Sequence, residues 1–501
     1  MLLRKLVSVV INLILIFKTS FAKESDEDDS KVYSGSILAL GELREFENSY
    51  MDQLNNYIKS LQRKVETLRI FTDSVKHKIL ESEASRFEYV SNPLNAFELM
   101  RRAHEDWPKW MTYLRAQEKD QDNQLSEIHK LLKRTPTAED LQEASLGMYR
   151  IEHFYNLSST DMSKGLLAGQ QLETQMCASE CLALAEYMFN KSEYRRAAQW
   201  YRLALHNIKE PTNKIALQIY KPHREELRKM FVISRLHEGA LDNISDYLEE
   251  VNQDPEIPLL HLKPIPPATA IERRCRGEFP PRPQLVCRYN FTTTPFMRIA
   301  PLKEEEISKD PLMWLYHDVL YDSEIAHFIN LTSEDLSQGY ADNYTAPKNP
   351  DRVFQVKITD DDGGKMDKAL VNRMTDISGL AMGNVSSLAR ANYGLGGYFQ
   401  EHSDYKDPRI YPERISEGDS LITFLFYATD VPLGGATIFP AANLTIQPKK
   451  GSALFWYNLH NNWEPNPLTR HAVCPMIQGN RWIFTKSMLN YQQMFTKPCY
   501  K

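Results

Sequence analysis

Leu388-Ala389-Arg390-Ala391-Asn392-Tyr393 runs straight into Gly394-Leu395-Gly396-Gly397 and, a few residues on, into His402-Ser403-Asp404. The first six residues are a short β-rich run and the glycines punctuate it. The last three place two metal-ligand side chains at i and i+2, which on a strand point to the same face. Similar runs recur at Pro311–His317, Leu421–Tyr427, Ala453–Tyr457 and Arg481–Met488, with Gly434, Gly435, Gly451 and Gly479 between them. Short strands separated by glycine turns predict a closed or sandwiched β fold of jelly-roll type. That domain is expected over 304–501.

Upstream the character changes. Ten of the 27 prolines fall between Pro255 and Pro301. Proline fixes φ and lacks the amide donor, so 254–303 is expected to be an irregular linker rather than helix or sheet. Before it, residues 161–253 resemble tetratricopeptide hairpins. One is predicted to run Glu173 to Phe189, turn at Asn190-Lys191-Ser192-Glu193, and return from Tyr194 to His206. Further back, Leu43, Phe46, Tyr50, Leu54, Tyr57, Leu61, Val65, Leu68, Phe71 and Val75 recur every three or four positions. This predicts one long amphipathic helix whose stripe is buried within the chain or against a second subunit. Pro93 breaks the pattern, and Pro108 predicts a kink in the helix that follows. The fold class expected is multi-domain α+β, with helical regions at 23–160 and 161–253 ahead of the β domain.

The first residues read as an address. Arg4 and Lys5 precede an apolar run, Leu6 to Phe17, and Ser20-Phe21-Ala22 supplies small residues at −3 and −1 of a cleavage point. Residues 1–22 are therefore expected to be a secretory signal peptide. Eight Asn-X-Ser/Thr sequons agree with that route: Asn156, Asn190, Asn243, Asn290, Asn330, Asn343, Asn384 and Asn443. So does an even count of six cysteines. Cys275 and Cys287 stand twelve apart, Cys474 and Cys499 twenty-five apart, and both spacings suit local disulfides. Cys177 and Cys181 are expected to be neighbouring thiols on a helix. The last residues are no Lys-Asp-Glu-Leu-type retention signal. The 501 residues carry a formal charge of −6 with 42% hydrophobic side chains, which is globular usage without a nucleic-acid footprint. Tyrosine is abundant at 25 residues; most are expected in packing, with some free to form a peptide-binding surface.

The chemistry converges on one constellation. His402 and Asp404 need a third ligand, and His471 in Thr469-Arg470-His471-Ala472 is the candidate. Two histidines and one carboxylate that leave positions open form the facial triad of non-haem Fe(II) oxygenases. Ten residues further, Arg481 opens the last strand and could fork onto a dicarboxylate co-substrate.

Several motifs carry a family resemblance: Asn392-Tyr393-Gly394-Leu395-Gly396-Gly397, His402-X-Asp404, Phe424-Leu425-Phe426-Tyr427 and Gly434-Gly435-Ala436-Thr437-Ile438-Phe439-Pro440. To these add Pro448-Lys449-Lys450-Gly451, Phe455-Trp456-Tyr457-Asn458 and Thr469-Arg470-His471-Ala472-Val473-Cys474-Pro475. Together they resemble the collagen prolyl 4-hydroxylase α subunits. Asn95 to Arg102 resembles the N-terminal domain of that family, and Cys275-Arg276-Gly277-Glu278 with Cys287-Arg288-Tyr289 its inter-domain loop. The resemblance implies hydroxylation of proline in X-Pro-Gly repeats of procollagen in the endoplasmic reticulum lumen. It implies Fe(II), 2-oxoglutarate, O₂ and L-ascorbate. Carried over by position, His402, Asp404 and His471 would hold iron, and Arg481 would bind 2-oxoglutarate with Tyr393 and Thr423 as further contacts. Disulfides would pair Cys275 with Cys287 and Cys474 with Cys499. The N-terminal helices would match the dimerising region and the middle helices the peptide-substrate-binding domain. There Tyr187, Phe189, Tyr194 and Tyr201 are candidates to grip a polyproline-II ligand, which is stiff and binds aromatic grooves at low entropic cost. Protein disulfide isomerase would be the β subunit of an α2β2 tetramer and supply the retention signal.

The sequence departs from the family pattern at four places. Arg481 stands where the family has lysine, and Ser403 where it has an aromatic residue. Phe354 to Thr359 does not resemble the family's Ser-rich segment, and Cys177 has no counterpart. These departures bear on substrate preference more than on iron. Two other readings are an oxygenase for a different secreted Pro-rich protein and a non-catalytic collagen-binding subunit.

Overall fold

The computed structural model describes residues 33–493 except 59–61, 77–82, 116–130, 134, 210–223, 240–243, 260–265, 279–285, 333–336, 339–354, 360–364, 381–386 and 407–417. The signal peptide, Asn243, Asn343, Asn384 and Cys499 lie outside the described residues.

The predicted long N-terminal helix is two helices, Ile37–Ile58 and Gln62–Lys76, which pack on each other. Leu43, Phe46, Tyr50 and Leu54 of the first and Leu68, Phe71 and Val75 of the second are buried inside this chain. The side chains of Tyr57, Leu61 and Val65 lie outside the described residues. After the helix Glu83–Ser91, the helix Pro93–Arg101 starts as proline chemistry dictates: Asn92 caps it and Pro93 sits where no amide donor is needed. A single π-turn, Arg102–Asp106, then leads into Trp107–Arg115. Pro108 cannot donate to the carbonyl of His104 and its ring crowds it, so the helix widens there. Helix Ala138–Tyr155 is bounded by a Thr137/Asp140 capping box and by Asn156 in the left-handed region at φ 51°.

A small hairpin, β1 (Leu166–Leu167) and β2 (Gln170–Gln171), precedes the helical pair Ala178–Asn190 and Tyr194–Lys209. The first of these starts five residues later than the periodicity suggests, because Glu180 folds back onto the Cys177 amide and sets the start. Cys181 is buried and Cys177 partly so, both as free thiols. Helices Arg224–Glu238 and Ile244–Glu250 complete this half. The proline-rich stretch is more regular than expected. It contains the helix Ala270–Cys275 and the strand β3 (Cys287–Asn290).

Strand β3 is the edge of the main sheet. The following strands are β4 (Leu302–Lys309), β5 (Leu312–His317), β6 (Ser337–Gln338), β7 (Gln355–Thr359), β8 (Leu388–Tyr393), β9 (Phe399–His402), β10 (Ser420–Tyr427), β11 (Leu433–Gly434), β12 (Thr437–Phe439), β13 (Leu444–Ile446), β14 (Ala453–Tyr457), β15 (His471–Val473), β16 (Met476–Gln478) and β17 (Arg481–Leu489). A nine-stranded sheet runs β3-β4-β5-β14-β10-β17-β8-β7-β6, and a four-stranded sheet runs β13-β12-β15-β9. Strand alternation sorts the side chains of the large sheet. Ile422, Phe424, Phe426, Phe455, Trp482 and Phe484 pack with helices Asp322–Asn330 and Lys365–Ser378. Leu425, Tyr427, Trp456, Ile483 and Tyr393 face the small sheet, together with its Phe439, Ile446 and Val473. By the same period of two, Thr423 and Arg481 point into the space between the sheets.

Glycines join the helical half to this β half. A Cβ on Gly394 would lie 2.0 Å from the Ser34 carbonyl, and one on Gly396 2.4 Å from Gly147 Cα in helix Ala138–Tyr155. Gly396 also sits at φ +59°, where only glycine is at ease. The Asn392 side chain accepts from the Ile37 amide at 2.7 Å and so caps the N-terminal helix across 355 residues. Leu395, from a β-domain loop, and Ile477, from β16, belong to the helical core.

Both expected disulfides and one expected glycan site are overturned here. Cys275 bonds to Cys474, which excludes Cys275–Cys287 and Cys474–Cys499 alike. Helix Ala270–Cys275 packs against β12 and β13, beside the end of β15, whereas Cys287 is carried away on the sheet edge as an exposed thiol. Asn290 is no open glycan acceptor either. It is 8% exposed, and its amide donates to Glu304 Oε2 and Thr293 Oγ1, both at 2.8 Å. Asn156, Asn190, Asn330 and Asn443 are exposed.

Candidate active site

His402 ends β9 and His471 begins β15, and the two are direct cross-strand partners in register. Their rings are 4.2 Å apart between centroids. Asp404 does not continue the strand. It lies in a bend just past the end of β9, yet its Oδ1 comes to 3.7 Å from His402 Nε2 and 3.8 Å from His471 Nε2. The three ligand atoms lie within 4.8 Å of one another, the one such group of these residues noted among the described residues. Convergence thus comes from register and a bend rather than from alternation along one strand.

Each histidine is held in a defined tautomer. His402 Nδ1 faces the Gln400 carbonyl at 2.9 Å and His471 Nδ1 the Thr469 carbonyl at 3.0 Å. A carbonyl only accepts, so both Nδ1 atoms carry the proton and both Nε2 lone pairs face the gap. Phe399 stacks on His402 at 3.8 Å, while Phe439 and Trp456 pack on His471 at 5.3 and 5.1 Å. His471 is buried and His402 and Asp404 are half-buried, so the group opens on one side only.

The second feature is a buried cation. Arg481 pairs in register with Tyr393 and is fully buried, its guanidinium 4.4 Å from the Tyr393 ring centroid. Nη2 donates to Thr437 Oγ1 at 3.1 Å, but Nε and Nη1 have no partner. Among the described residues no carboxylate pairs with it. Thr437 also accepts from the Tyr427 hydroxyl at 2.8 Å, and burial pushes that hydroxyl up to about 12, so it stays a neutral donor. Thr437 lies opposite Val473, two residues past His471 on the same inner face. Arg481, through Thr437, therefore lines the same inter-sheet space as His471, and a cation there suits a short dicarboxylate held at one end by a metal and at the other by the guanidinium.

The remaining expected residues fall differently. Tyr393 lies under the Arg481 guanidinium. Thr423 does not join the cation; its hydroxyl donates to Asp404 Oδ2 at 2.6 Å. Thr437 and Tyr427 were not singled out from the sequence, although both stand inside quoted motifs. In the helical half, Tyr201 is 1% and Tyr187 8% exposed, which makes both packing residues rather than a peptide face. Phe189 and Tyr194 are half-buried and form a cluster with His237, whose ring stacks on Tyr194 at 4.6 Å.

Comparison with known proteins agrees with this geometry. Residues 36–169 match the prolyl 4-hydroxylase alpha-subunit N-terminal region, and residues 388–488 the 2OG-Fe(II) oxygenase superfamily. Prolyl 4-hydroxylase subunit alpha-1 of Rattus norvegicus is 27% identical over 93% of this chain and 96% of its own length. Subunit alpha-2 of Caenorhabditis elegans is 28% identical over 89% of each chain, and subunit alpha-2 of Gallus gallus 29% identical over 93% and 94%. The chain thus carries a prolyl 4-hydroxylase alpha-subunit N-terminal region and a 2OG-Fe(II) oxygenase domain, in that order, and is similar nearly end to end to prolyl 4-hydroxylase alpha subunits.

Proposed function

We propose that this α subunit hydroxylates C4 of proline in X-Pro-Gly sequences of procollagen-like chains, coupled to decarboxylation of 2-oxoglutarate to succinate and CO₂. The observation that carries the proposal is the pairing of the His402–Asp404–His471 group with a buried, under-partnered Arg481 that lines the same inter-sheet space. The residues fit the implied cofactor: two Nε2 atoms and one carboxylate oxygen converge, all from side chains whose other polar atoms are engaged. Iron bound there supplies the O₂-dependent oxidation. The protein's own part is positional. Arg481, Thr437 and Tyr393 bind and orient the far carboxylate of 2-oxoglutarate, and Phe399, Phe439 and Trp456 keep water from the histidines. L-ascorbate serves as the reductant in this reading.

In the same proposal the β region is a double-stranded β-helix, the two sheets described above. The helical middle region is tetratricopeptide-like, and Phe189 and Tyr194 bind the polyproline-II substrate. Cleavage of 1–22 admits the chain to the endoplasmic reticulum lumen, where protein disulfide isomerase joins it in an α2β2 tetramer. No helix among the described residues is long and apolar enough to cross a membrane. The test is the chain co-expressed with protein disulfide isomerase and given (Pro-Pro-Gly)ₙ, Fe(II), 2-oxoglutarate and ascorbate. Formation of 4-hydroxyproline matched to succinate supports the proposal. Decarboxylation without peptide hydroxylation moves the substrate to another Pro-rich protein, and neither product indicates a non-catalytic binding subunit.

A further inference from the structure

Behind Asp404 runs a chain of buried hydrogen bonds that the iron ligands alone do not require. Thr423 Oγ1 donates to Asp404 Oδ2 at 2.6 Å. Asn458 Nδ2 donates to Thr423 Oγ1 at 2.9 Å and to Ser420 Oγ at 3.2 Å. Trp456 Nε1 donates to Asn458 Oδ1 at 2.8 Å. Thr423 and Asn458 are fully buried, and Trp456 is 1% exposed. Thr423 and Trp456 are direct partners on β10 and β14, and the Asn458 amide is itself tied to the Leu421 carbonyl at 2.8 Å. The backbone of two central strands therefore holds the chain in place.

The direction of every link follows from its far end. An indole N–H can only donate, so Asn458 must present its oxygen to Trp456. Its NH₂ group then faces Thr423 and Ser420. The threonine hydroxyl has one proton, and with Asn458 donating to its oxygen, that proton goes to Asp404 Oδ2. Asp404 Oδ2 is the acceptor of that bond. Oδ2 is thereby occupied, while Oδ1 is the oxygen nearest both histidine Nε2 atoms.

We propose that Thr423, Asn458 and Trp456 are positioning residues that polarise toward Asp404 and commit it to offering one oxygen, Oδ1, to the metal. Held this way, Asp404 neither rotates nor closes on the metal with both oxygens. The positions a dicarboxylate and O₂ need stay open. This gives Thr423 a role distinct from co-substrate contact and gives Trp456 a polar role beyond packing on His471. Outer partners of this kind, when removed, typically weaken a metal by about 10- to 100-fold.

The proposal rests on the iron-site reading above, and one experiment separates the two. The full chain, stripped of metal, is titrated with Mn(II) by following the free-ion resonance, with melting temperature measured on each variant. Measurable Mn(II) binding by the wild type, abolished in His402→Ala, tests the site itself. Thr423→Val keeps the shape and loses the hydroxyl, so Mn(II) affinity is expected to fall about 10- to 100-fold. Thr423→Ser is expected to restore it to within about threefold, a difference of under 1 kcal/mol. Trp456→Phe removes the terminal donor together with part of the ring that packs on His471, and a smaller loss of affinity than in Thr423→Val is expected. Mn(II) bound equally well by wild type, Thr423→Val and Trp456→Phe would overturn the proposal. If Thr423→Val lowers the melting temperature, Trp456→Phe decides alone: unchanged affinity there refutes the polarised chain, and weakened affinity at unchanged melting temperature sustains it.

Discussion

Replacing Arg481 with methionine should change two measurements in opposite directions. The guanidinium is fully buried with one hydrogen bond from Nη2, and its Nε and Nη1 are unpaired. Without an anion the chain carries a buried cation whose desolvation is offset, among the described residues, by Thr437 and the faces of Tyr393 and Tyr427. Methionine fills much of the volume without that penalty, so the ligand-free protein should lose little stability or gain some. Binding of 2-oxoglutarate should collapse, because its far carboxylate then enters a buried site with no cation. Losing one partner of a buried ion pair costs about 3–5 kcal/mol, which is roughly a 100-fold to several-thousand-fold rise in Kd. The assay is calorimetric titration of 2-oxoglutarate into the Mn(II)-loaded chain without O₂, alongside thermal melts of the unloaded chain. Arg481→Lys keeps the charge but not the planar fork, and an intermediate loss is expected. The reasoning fails if Arg481→Met binds 2-oxoglutarate within about threefold of wild type. It also fails if the ligand-free variant melts far below wild type while binding is retained.

Gly396→Ala should destabilise the protein by more than the backbone term of about 1–2 kcal/mol for φ > 0, because its Cβ meets Gly147 at 2.4 Å. Gly169→Ala is the control, since its φ of +83° is similar and nothing lies within 4 Å; equal losses in denaturant titrations would show that the close approach does not matter. Peptide mapping under non-reducing conditions should recover Cys275 linked to Cys474, with Cys287 alkylated before any reduction; a Cys275–Cys287 peptide would contradict the fold around β15. Glu324 gives a pH dependence with a definite sign. Burial works against its carboxylate, but hydrogen bonds from Arg373 at 2.6 and 2.7 Å and from the Tyr321 amide outweigh it and hold the pKa below the ordinary value. Its contribution to stability is therefore full above the unfolded value of about 4.3 and is lost as pH falls through the lower folded value. Melting temperatures between pH 3 and 7 should show this, and Glu324→Gln should flatten that part of the curve.

The strands were legible because alternation and glycine turns are local. Leu388–Tyr393 and Ala453–Tyr457 end where their patterns do. The N-terminal helix was mis-sized for the same reason: periodicity runs through Leu43 to Val75, but it does not report that one half folds back on the other. Proline density predicted an irregular linker. Yet Thr269 caps a short helix there, and β3 uses four residues free of proline to pair with β4.

Residue types and their order along the chain determined which side chains were candidates: His402, Asp404 and His471, the cation ten residues after His471, and the motifs shared with prolyl 4-hydroxylase alpha subunits. Those depend on chemistry that each side chain carries wherever it sits. What they could not determine was partnership over long separations. The bond between Cys275 and Cys474 spans 199 residues. Asn392 caps a helix 355 residues away, and Gly396 is required by Gly147 rather than by its own turn. Thr423 faces Asp404 only because β10 and β9 belong to opposing sheets. Sequence spacing measures distance along the chain, and these contacts are set by the register and stacking of elements that burial brings together.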